Sequence, residues 1–211
     1  MPRLNVKSET LTPVICWKYP RTVFPCDFRI EVDEGCAAIV HPVNSPPILC
    51  LPGKQSFKGG SSSAPIPVQI TFFRINQSFP FFWGTDFPVV LSDPLSGKKM
   101  IIKAFGTFLF SIINAESFYY FAVNNDFNFS LSGFRKSLRV CITRLFQNQL
   151  EMLCKQRKNA LSNIQNYSAA LSHQTELLCN YSIMKQGAQF TQFQIGSILT
   201  EPCGNAGNPR R

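Results

Sequence analysis

Residues 81–94 read FFWGTDFPVVLSDP, and this stretch decides more about the fold than any other part of the chain. Its first half is aromatic and strand-like, and Trp83 is large enough to anchor a strand in a hydrophobic core. Gly84 follows at once and permits a tight bend or bulge. Asp93 before Pro94 is typical of a turn. The stretch therefore predicts two short strands that are separated by a bend and closed by a turn.

The aromatic residues around Trp83 allow two interpretations. Phe79, Phe81 and Phe82 are either core residues or an exposed cluster of the kind that lies among lipid headgroups. The Trp-Gly-Thr element that ends at Thr85 is interpreted as structural, maintaining the fold rather than contacting a partner.

Downstream of this stretch, the periodicity predicts a long strand, a short helix, two long helices and a last strand. These elements lie at 98–113, from Asn114, from about 131 to 157, from about 159 to 185 and at 190–199.

Upstream, short strands punctuated by proline are predicted between residues 14 and 52. Residues 29–32 and 36–40 are expected to form a hairpin around the turn at 33–35. Residues 53–67 are rich in Gly and Ser, and this composition predicts a flexible loop.

Strands come first, then two helices, then one strand, and this order favours an α+β fold. We expect a mostly antiparallel or mixed sheet with two C-terminal helices packed on it and a final return strand. One domain is predicted over residues 14–200, with its helical part at 131–186, a flexible arm at 1–13 and a tail at 201–211.

The composition is that of a globular, basic protein. The 211 residues are 45% hydrophobic and 16% charged, which is enough apolar material to bury a core. A formal net charge of +9 favours an anionic partner, such as phospholipid headgroups, nucleic acid or an acidic protein. The alternative is that the positive charge serves only to keep the protein soluble, since the composition would then be the same.

The basic residues are most concentrated on the first long helix. Arg135, Lys136, Arg139 and Arg144 form a basic stripe there, opposite the apolar side of the helix. This stripe is the candidate contact for anionic lipid or for a partner, and the alternative is an ordinary solvated helix face.

No pattern typical of a catalytic, metal or cofactor site is present. The eight Cys form no C-x-x-C pair, and His41 and His173 lie in no nucleophile or metal motif. We therefore expect no enzyme activity, no metal and no cofactor, and we interpret the cysteines as reduced, mostly buried residues of a cytosolic protein. No stretch reaches the roughly 18–20 apolar residues of a spanning helix, so we expect any membrane contact to be peripheral.

Six motifs, in order along residues 14–199, resemble the SPFH/Band 7 (stomatin–prohibitin–flotillin) family, and in particular a mainly bacterial branch described as virion core protein-like. The most specific is the Trp-Gly-Thr…Asp-Pro signature within residues 81–94. The others are VICWKYP at 14–20, LPG at 51–53, KAFGTF at 103–108, IINAESF at 112–118 and GAQFTQFQIGSI at 187–198. The residues assigned to the structural motif are Trp83, Gly84, Thr85, Asp93, Pro94, Phe105 and Gly106. The sequence departs from the branch at Lys103, where Arg is usual, and at 114–115, where Asp-Pro is usual.

The resemblance implies a scaffold domain without a shared active site, which self-associates and organises partners peripherally at the cytoplasmic face of a membrane. The expected partners are further copies of the chain and either an anionic membrane or a membrane-associated protein, with no small-molecule substrate. The alternative is a basic nucleic-acid-binding module. That alternative is not favoured, because such modules set aromatic residues among basic ones on an exposed strand.

Overall fold

The computed structural model describes residues 15–58, 64–85, 87–124, 131–157 and 161–203. The expected arm at 1–13, part of the expected loop at 53–67 and most of the expected tail lie outside these residues. The chain divides into two compact units. Unit 1 comprises Met1–Phe79, Ser111–Phe134 and Ile183–Gln189, and unit 2 comprises Pro80–Phe110, Arg135–Ser182 and Phe190–Arg211.

Unit 1 is built on antiparallel strands. Its larger sheet has the order β1-β7-β4-β5, with β2 also paired to β7, and β3 and β6 form a separate pair. The strands are β1 (Cys16–Lys18), β2 (Val23–Phe24), β3 (Phe28–Val32), β4 (Cys36–Pro42), β5 (Ile48–Cys50), β6 (Gly53–Phe57) and β7 (Ile66–Arg74).

The hairpin predicted between β3 and β4 is wrong, although the turn between them exists. The Cys36 N–H donates to the Asp33 carbonyl at 3.1 Å, but the two strands then enter different sheets. β3 pairs with β6, which occupies the start of the predicted loop at 53–67. The composition of residues 53–56 is polar, so nothing local indicates a strand. These residues form a strand because they pair with β3, and this pairing is stabilised by Phe57, which stacks on Phe28 with ring centroids 4.8 Å apart.

Both faces of strands β4 and β7 are covered within unit 1. One face belongs to a core that includes Ile30, Val40 and Ile70, all fully buried. On the other face, Phe73 contacts the rings of Phe118 and Tyr119 edge-on. These two residues lie on α1 (Ala115–Asn124).

The start of α1 is capped as the sequence predicts. The Asn114 side-chain oxygen accepts from the Ser117 N–H at 2.9 Å, which satisfies one of the free donors at the helix N-terminus. Gly187 ends a short 3₁₀ turn (Met184–Gln186) in the left-handed conformation, with φ +79°. Its N–H donates to the Met184 carbonyl at 3.0 Å, so the helical region ends close to residue 185, where the sequence predicts its end.

Unit 2 contains a four-stranded sheet and two long helices. Its order is β11-β10-β8, and β9 pairs with β10 in antiparallel register. The elements that lie wholly or mostly in unit 2 are β8 (Phe79–Gly84), β9 (Val89–Ser92), β10 (Lys99–Ile112), α2 (Leu131–Arg157), a 3₁₀ segment (Leu161–Tyr167), α3 (Ser168–Ile183) and β11 (Ala188–Pro202).

One face of this sheet is buried beneath the helices. Phe81 and Trp83 on β8 and Phe108 on β10 are buried there. Helix α2 contributes Leu138, Ile142, Phe146 and Leu150, which are all buried and follow one another at intervals of four residues. The ring of Phe146 contacts Trp83 with centroids 5.6 Å apart, so α2 packs on the inner face.

The opposite face, here called the outer face, is solvent-exposed. Its residues alternate with the buried ones along each strand, as pleating requires. They include Phe82, Val90, Lys99, Ile101, Lys103 and Phe105. Of the three aromatic residues with two interpretations, Phe79 and Phe81 are core residues, and Phe82 is 76% exposed.

Side chains of the last helix cover the free edge of β11. Glu176 and Ser172 accept from the N–H groups of Phe193 and Ile195 at 2.7 and 3.0 Å. Asn180 both accepts from the Phe190 N–H and donates to its carbonyl, each at 2.8 Å. Because residues 172, 176 and 180 are four apart, they lie on one side of α3. The edge of β11 is therefore satisfied by a helix instead of by another strand.

The architecture confirms the predicted α+β class. Antiparallel sheets precede two long helices, and β11 returns to pair with β10.

Candidate functional site

The Trp-Gly-Thr element forms the centre of the core of unit 2. Trp83 is 3% exposed, and its ring stacks on Phe193 with centroids 5.0 Å apart. Its indole N–H donates to the Gln194 carbonyl at 3.4 Å. Thr85 joins the end of β8 to β10 by two hydrogen bonds. Its N–H donates to the Ala104 carbonyl at 2.9 Å, and its hydroxyl accepts from the Ala104 N–H at 3.2 Å. The signature side chains of Trp83 and Thr85 are thus engaged inside the unit.

Gly106 makes this arrangement sterically feasible. A Cβ at position 106 would overlap the Gln194 carbonyl oxygen and would lie 2.9 Å from the Trp83 ring nitrogen. Gly84, to which the sequence assigned the special backbone role, is less constrained. A Cβ there would meet its nearest atom, the Ala104 carbonyl oxygen, at 3.5 Å, and its φ lies outside the left-handed region.

Asp93 organises the turn that follows β9 and also reaches a distant segment. One carboxylate oxygen accepts from the Ser96 hydroxyl at 2.6 Å and from the Ser96 N–H at 2.9 Å. The other accepts from the Leu161 N–H at 2.7 Å, at the start of the 3₁₀ segment. Pro94 lies in the same turn and is exposed. The bond to Ser96, followed by that to Leu161, holds the pKa of the Asp93 carboxyl below its usual range.

Replacing Asp93 by asparagine should change the pH dependence of stability. Because the folded-state pKa is lowered, the charged carboxylate stabilises the fold above its unfolded pKa of about 3.9, and this contribution is lost as the pH falls toward the folded pKa. We expect Asp93→Asn to unfold at lower urea concentration than the parent at pH 7, with a difference that narrows below about pH 4. Urea titrations of both proteins at several pH values measure this difference, and Glu201→Gln, at an exposed position, is the control. A difference that stays constant across this range would contradict the assignment.

The basic stripe of α2 is exposed where the structure describes it. Lys136, Arg139 and Arg144 all lie on the solvent side, away from the buried row of that helix. The side chain of Arg135 lies outside the described part of the chain. The stripe is therefore presented outward by a helix whose opposite side is anchored in the core of unit 2.

Of one surface, the outer face of the sheet, sequence reasoning identified only Phe82, and only as one of two interpretations. Phe105, which was grouped with the structural motif, is 51% exposed there. A Cβ at Gly84 would lie 3.6 Å from that of Phe105, so the two positions are cross-strand neighbours on this face. The alternation along β10 predicts that Phe105 lies on the face opposite the buried residues. Only the pairing of β8 with β10 brings Phe82 and Phe105 onto the same part of that face.

The two histidines lie in different surroundings. His41 Nδ1 lies 2.7 Å from the Tyr119 hydroxyl, and burial, with a smaller effect of Tyr120, raises the pKa of that tyrosine. His173 is exposed on α3. Among the described residues, no group of three or more His, Cys, Asp or Glu could hold a metal ion.

The cysteines are free thiols, and three of them, Cys36, Cys50 and Cys179, are buried. Burial raises the pKa of Cys50 to about 11 and, together with Cys141 and Glu176, that of Cys179 to about 12. Because the thiolate is the reactive form, these two thiols should remain protonated at pH 8.

We expect Cys50 and Cys179 to resist alkylation by iodoacetamide at pH 8 in the folded protein and to react once guanidinium unfolds it. Mass spectrometry of digested samples would locate the modified residues under both conditions. Rapid alkylation of either thiol in the folded state would contradict the burial assigned to it.

Within the described ranges, no helix combines the length and the apolar character needed to cross a bilayer. A search of curated proteins finds no match for the chain. The family model of the SPFH domain-Band 7 family matches residues 43–202, well over half of the 211 residues. It does not separate the virion core protein-like branch from the rest of the family, so that branch stays a prediction. The chain belongs to the SPFH domain-Band 7 family.

Proposed function

We propose that the protein is a non-enzymatic SPFH-domain scaffold, which self-associates and organises partners peripherally at the cytoplasmic face of a membrane. The observation that carries this proposal is the family match over residues 43–202, since the family is one of membrane-associated, scaffold-type proteins.

The use of the motif residues supports a scaffold instead of a catalyst. Trp83, Thr85 and Asp93 direct their polar atoms to backbone groups or to a turn serine of the same unit. An active site would instead place polar groups, including some with pKa values matched to proton transfer, around a cleft.

The charge of α2 supports attraction to an anionic surface. Lys136, Arg139 and Arg144 are exposed, and each basic residue near an anionic leaflet adds about 1 kcal/mol of attraction. The positive balance of the whole chain acts in the same direction.

Sedimentation with liposomes tests this function. We expect the protein to sediment with phosphatidylserine-containing vesicles at low salt, to be released at high salt, and to show by light scattering the mass of an oligomer. If the basic stripe of α2 makes the contact, the double variant Lys136→Gln/Arg144→Gln should weaken binding by about 2 kcal/mol. Arg29→Gln/Lys54→Gln removes the same charge from exposed positions of unit 1 and serves as the matched control. A monomer that ignores both anionic and neutral vesicles would refute the proposal.

A further inference from the structure

We infer that the outer face of the unit 2 sheet is the surface that enters an anionic lipid interface. This inference rests on the proposed function and places the membrane contact on the side of the unit 2 sheet opposite helix α2, so the outer face and the basic stripe of α2 are alternative contacts with a flat bilayer.

The first observation is the apolar character of an exposed sheet face. An antiparallel sheet with one buried face ordinarily presents polar residues on the other. Here Phe82 is 76% exposed, Phe105 is 51% exposed and Val90 is 50% exposed. Phe82 and Phe105 flank Gly84 on adjacent strands, which places their Cβ atoms about 7 Å apart. Contiguous exposed apolar groups of this kind mark interaction surfaces.

The second observation is the charge on the same face. Lys99 and Lys103 project from β10 on the side of Phe105, and both are exposed. Strands β8, β9 and β10 contain no Asp or Glu, and β11, which pairs with β10, contains one exposed carboxylate, Glu201. The nearest carboxylate along the chain whose position is described, Asp93, is buried and turned toward Ser96 and Leu161.

Aromatic rings among lysines on an exposed strand match the chemistry of an anionic lipid surface and also that of a nucleic-acid surface. The family match favours lipid, and binding of a single-stranded oligonucleotide without binding of vesicles would overturn the inference. Rings occupy the boundary between headgroups and acyl chains, while ammonium groups approach the phosphates. A second copy of the chain fits less well, because Lys99 and Lys103 of each copy outnumber the one carboxylate of the sheet strands, Glu201.

A tryptophan placed on the face would report its insertion. Phe82→Trp should become quenched by vesicles of phosphatidylcholine and phosphatidylserine with brominated acyl chains, beyond the quenching of the parent protein. Leu177→Trp is the matched control, because Leu177 is 50% exposed on α3, and its added fluorescence should not be quenched.

Two further variants separate the components of binding. Phe82→Ser/Phe105→Ser should bind anionic vesicles about tenfold more weakly or worse, while its thermal unfolding stays close to that of the parent, since both side chains are exposed. Lys99→Gln/Lys103→Gln should reduce the salt dependence of binding.

The outcomes distinguish this inference from the function on which it rests. If the parent protein binds no vesicle, the membrane function and this inference are both refuted. If the parent binds, Phe82→Ser/Phe105→Ser binds equally well and Lys136→Gln/Arg144→Gln does not, the function stands and the outer face is excluded. A fall in oligomer mass for Phe82→Ser/Phe105→Ser, with vesicle binding intact, would assign the face to contact between copies and also overturn the inference.

Discussion

Replacing Gly106 by alanine is expected to lower the free energy of unfolding by about 3 kcal/mol or more. The added Cβ would overlap the Gln194 carbonyl oxygen and approach the Trp83 ring nitrogen. Neither neighbour can yield easily. The first is backbone of β11, and the second belongs to a ring stacked on Phe193 and in contact with Phe146. Relief of the overlap therefore requires β10 and β11 to separate or Trp83 to leave its place.

Denaturant titration of the two single variants Gly106→Ala and Gly84→Ala measures this effect against a matched control. Both replacements add one methyl group in the same motif, but a Cβ at position 84 finds ordinary van der Waals distances of 3.5 and 3.6 Å. We expect Gly84→Ala to change the free energy of unfolding by about 1 kcal/mol or less. Equal destabilisation by the two changes would mean that close approach at Gly106 is not what this part of the motif requires.

The sequence predicts those elements whose signals are local. Alternation identifies β10, and Asn114 is a recognisable helix cap whose side chain does bond to Ser117. Strand β6 has no such signal, because its polar residues 53–56 become a strand only through pairing with β3. The same pairing removes β3 from the predicted hairpin.

In the candidate site, too, the sequence predicts the features with a local signal and not those that depend on distant strands. An aromatic Trp83 inside a strand-like stretch predicts a core residue, and it is one. The exposure of Phe105 depends on strand register, and the role of Gly106 depends on the approach of Gln194 from a strand more than 80 positions later. Such long-range geometry leaves no local pattern in a single sequence.

Replacing Asn180 by leucine is expected to lower the free energy of unfolding by about 2–4 kcal/mol. The amide of Asn180 satisfies both backbone groups of Phe190, which is 2% exposed, through two bonds of 2.8 Å. Leucine has a similar volume but neither donor nor acceptor, so two largely buried polar groups would lose their partners. Each such loss costs about 1–3 kcal/mol. The edge of β11 would also become available for pairing with strands of other molecules, so we expect faster aggregation on heating.

A graded series separates the lost hydrogen bonds from the added apolar surface. Asn180→Gln keeps both the donor and the acceptor on a side chain one methylene longer, so its destabilisation should be smaller than that of Asn180→Leu. Asn166→Leu adds the same side chain at an exposed position of the 3₁₀ segment and should leave stability within about 0.5 kcal/mol of the parent. If Asn180→Leu unfolds and aggregates like Asn166→Leu, the bonds from α3 do not secure β11. In that case the packing of α3 alone would protect the edge of β11.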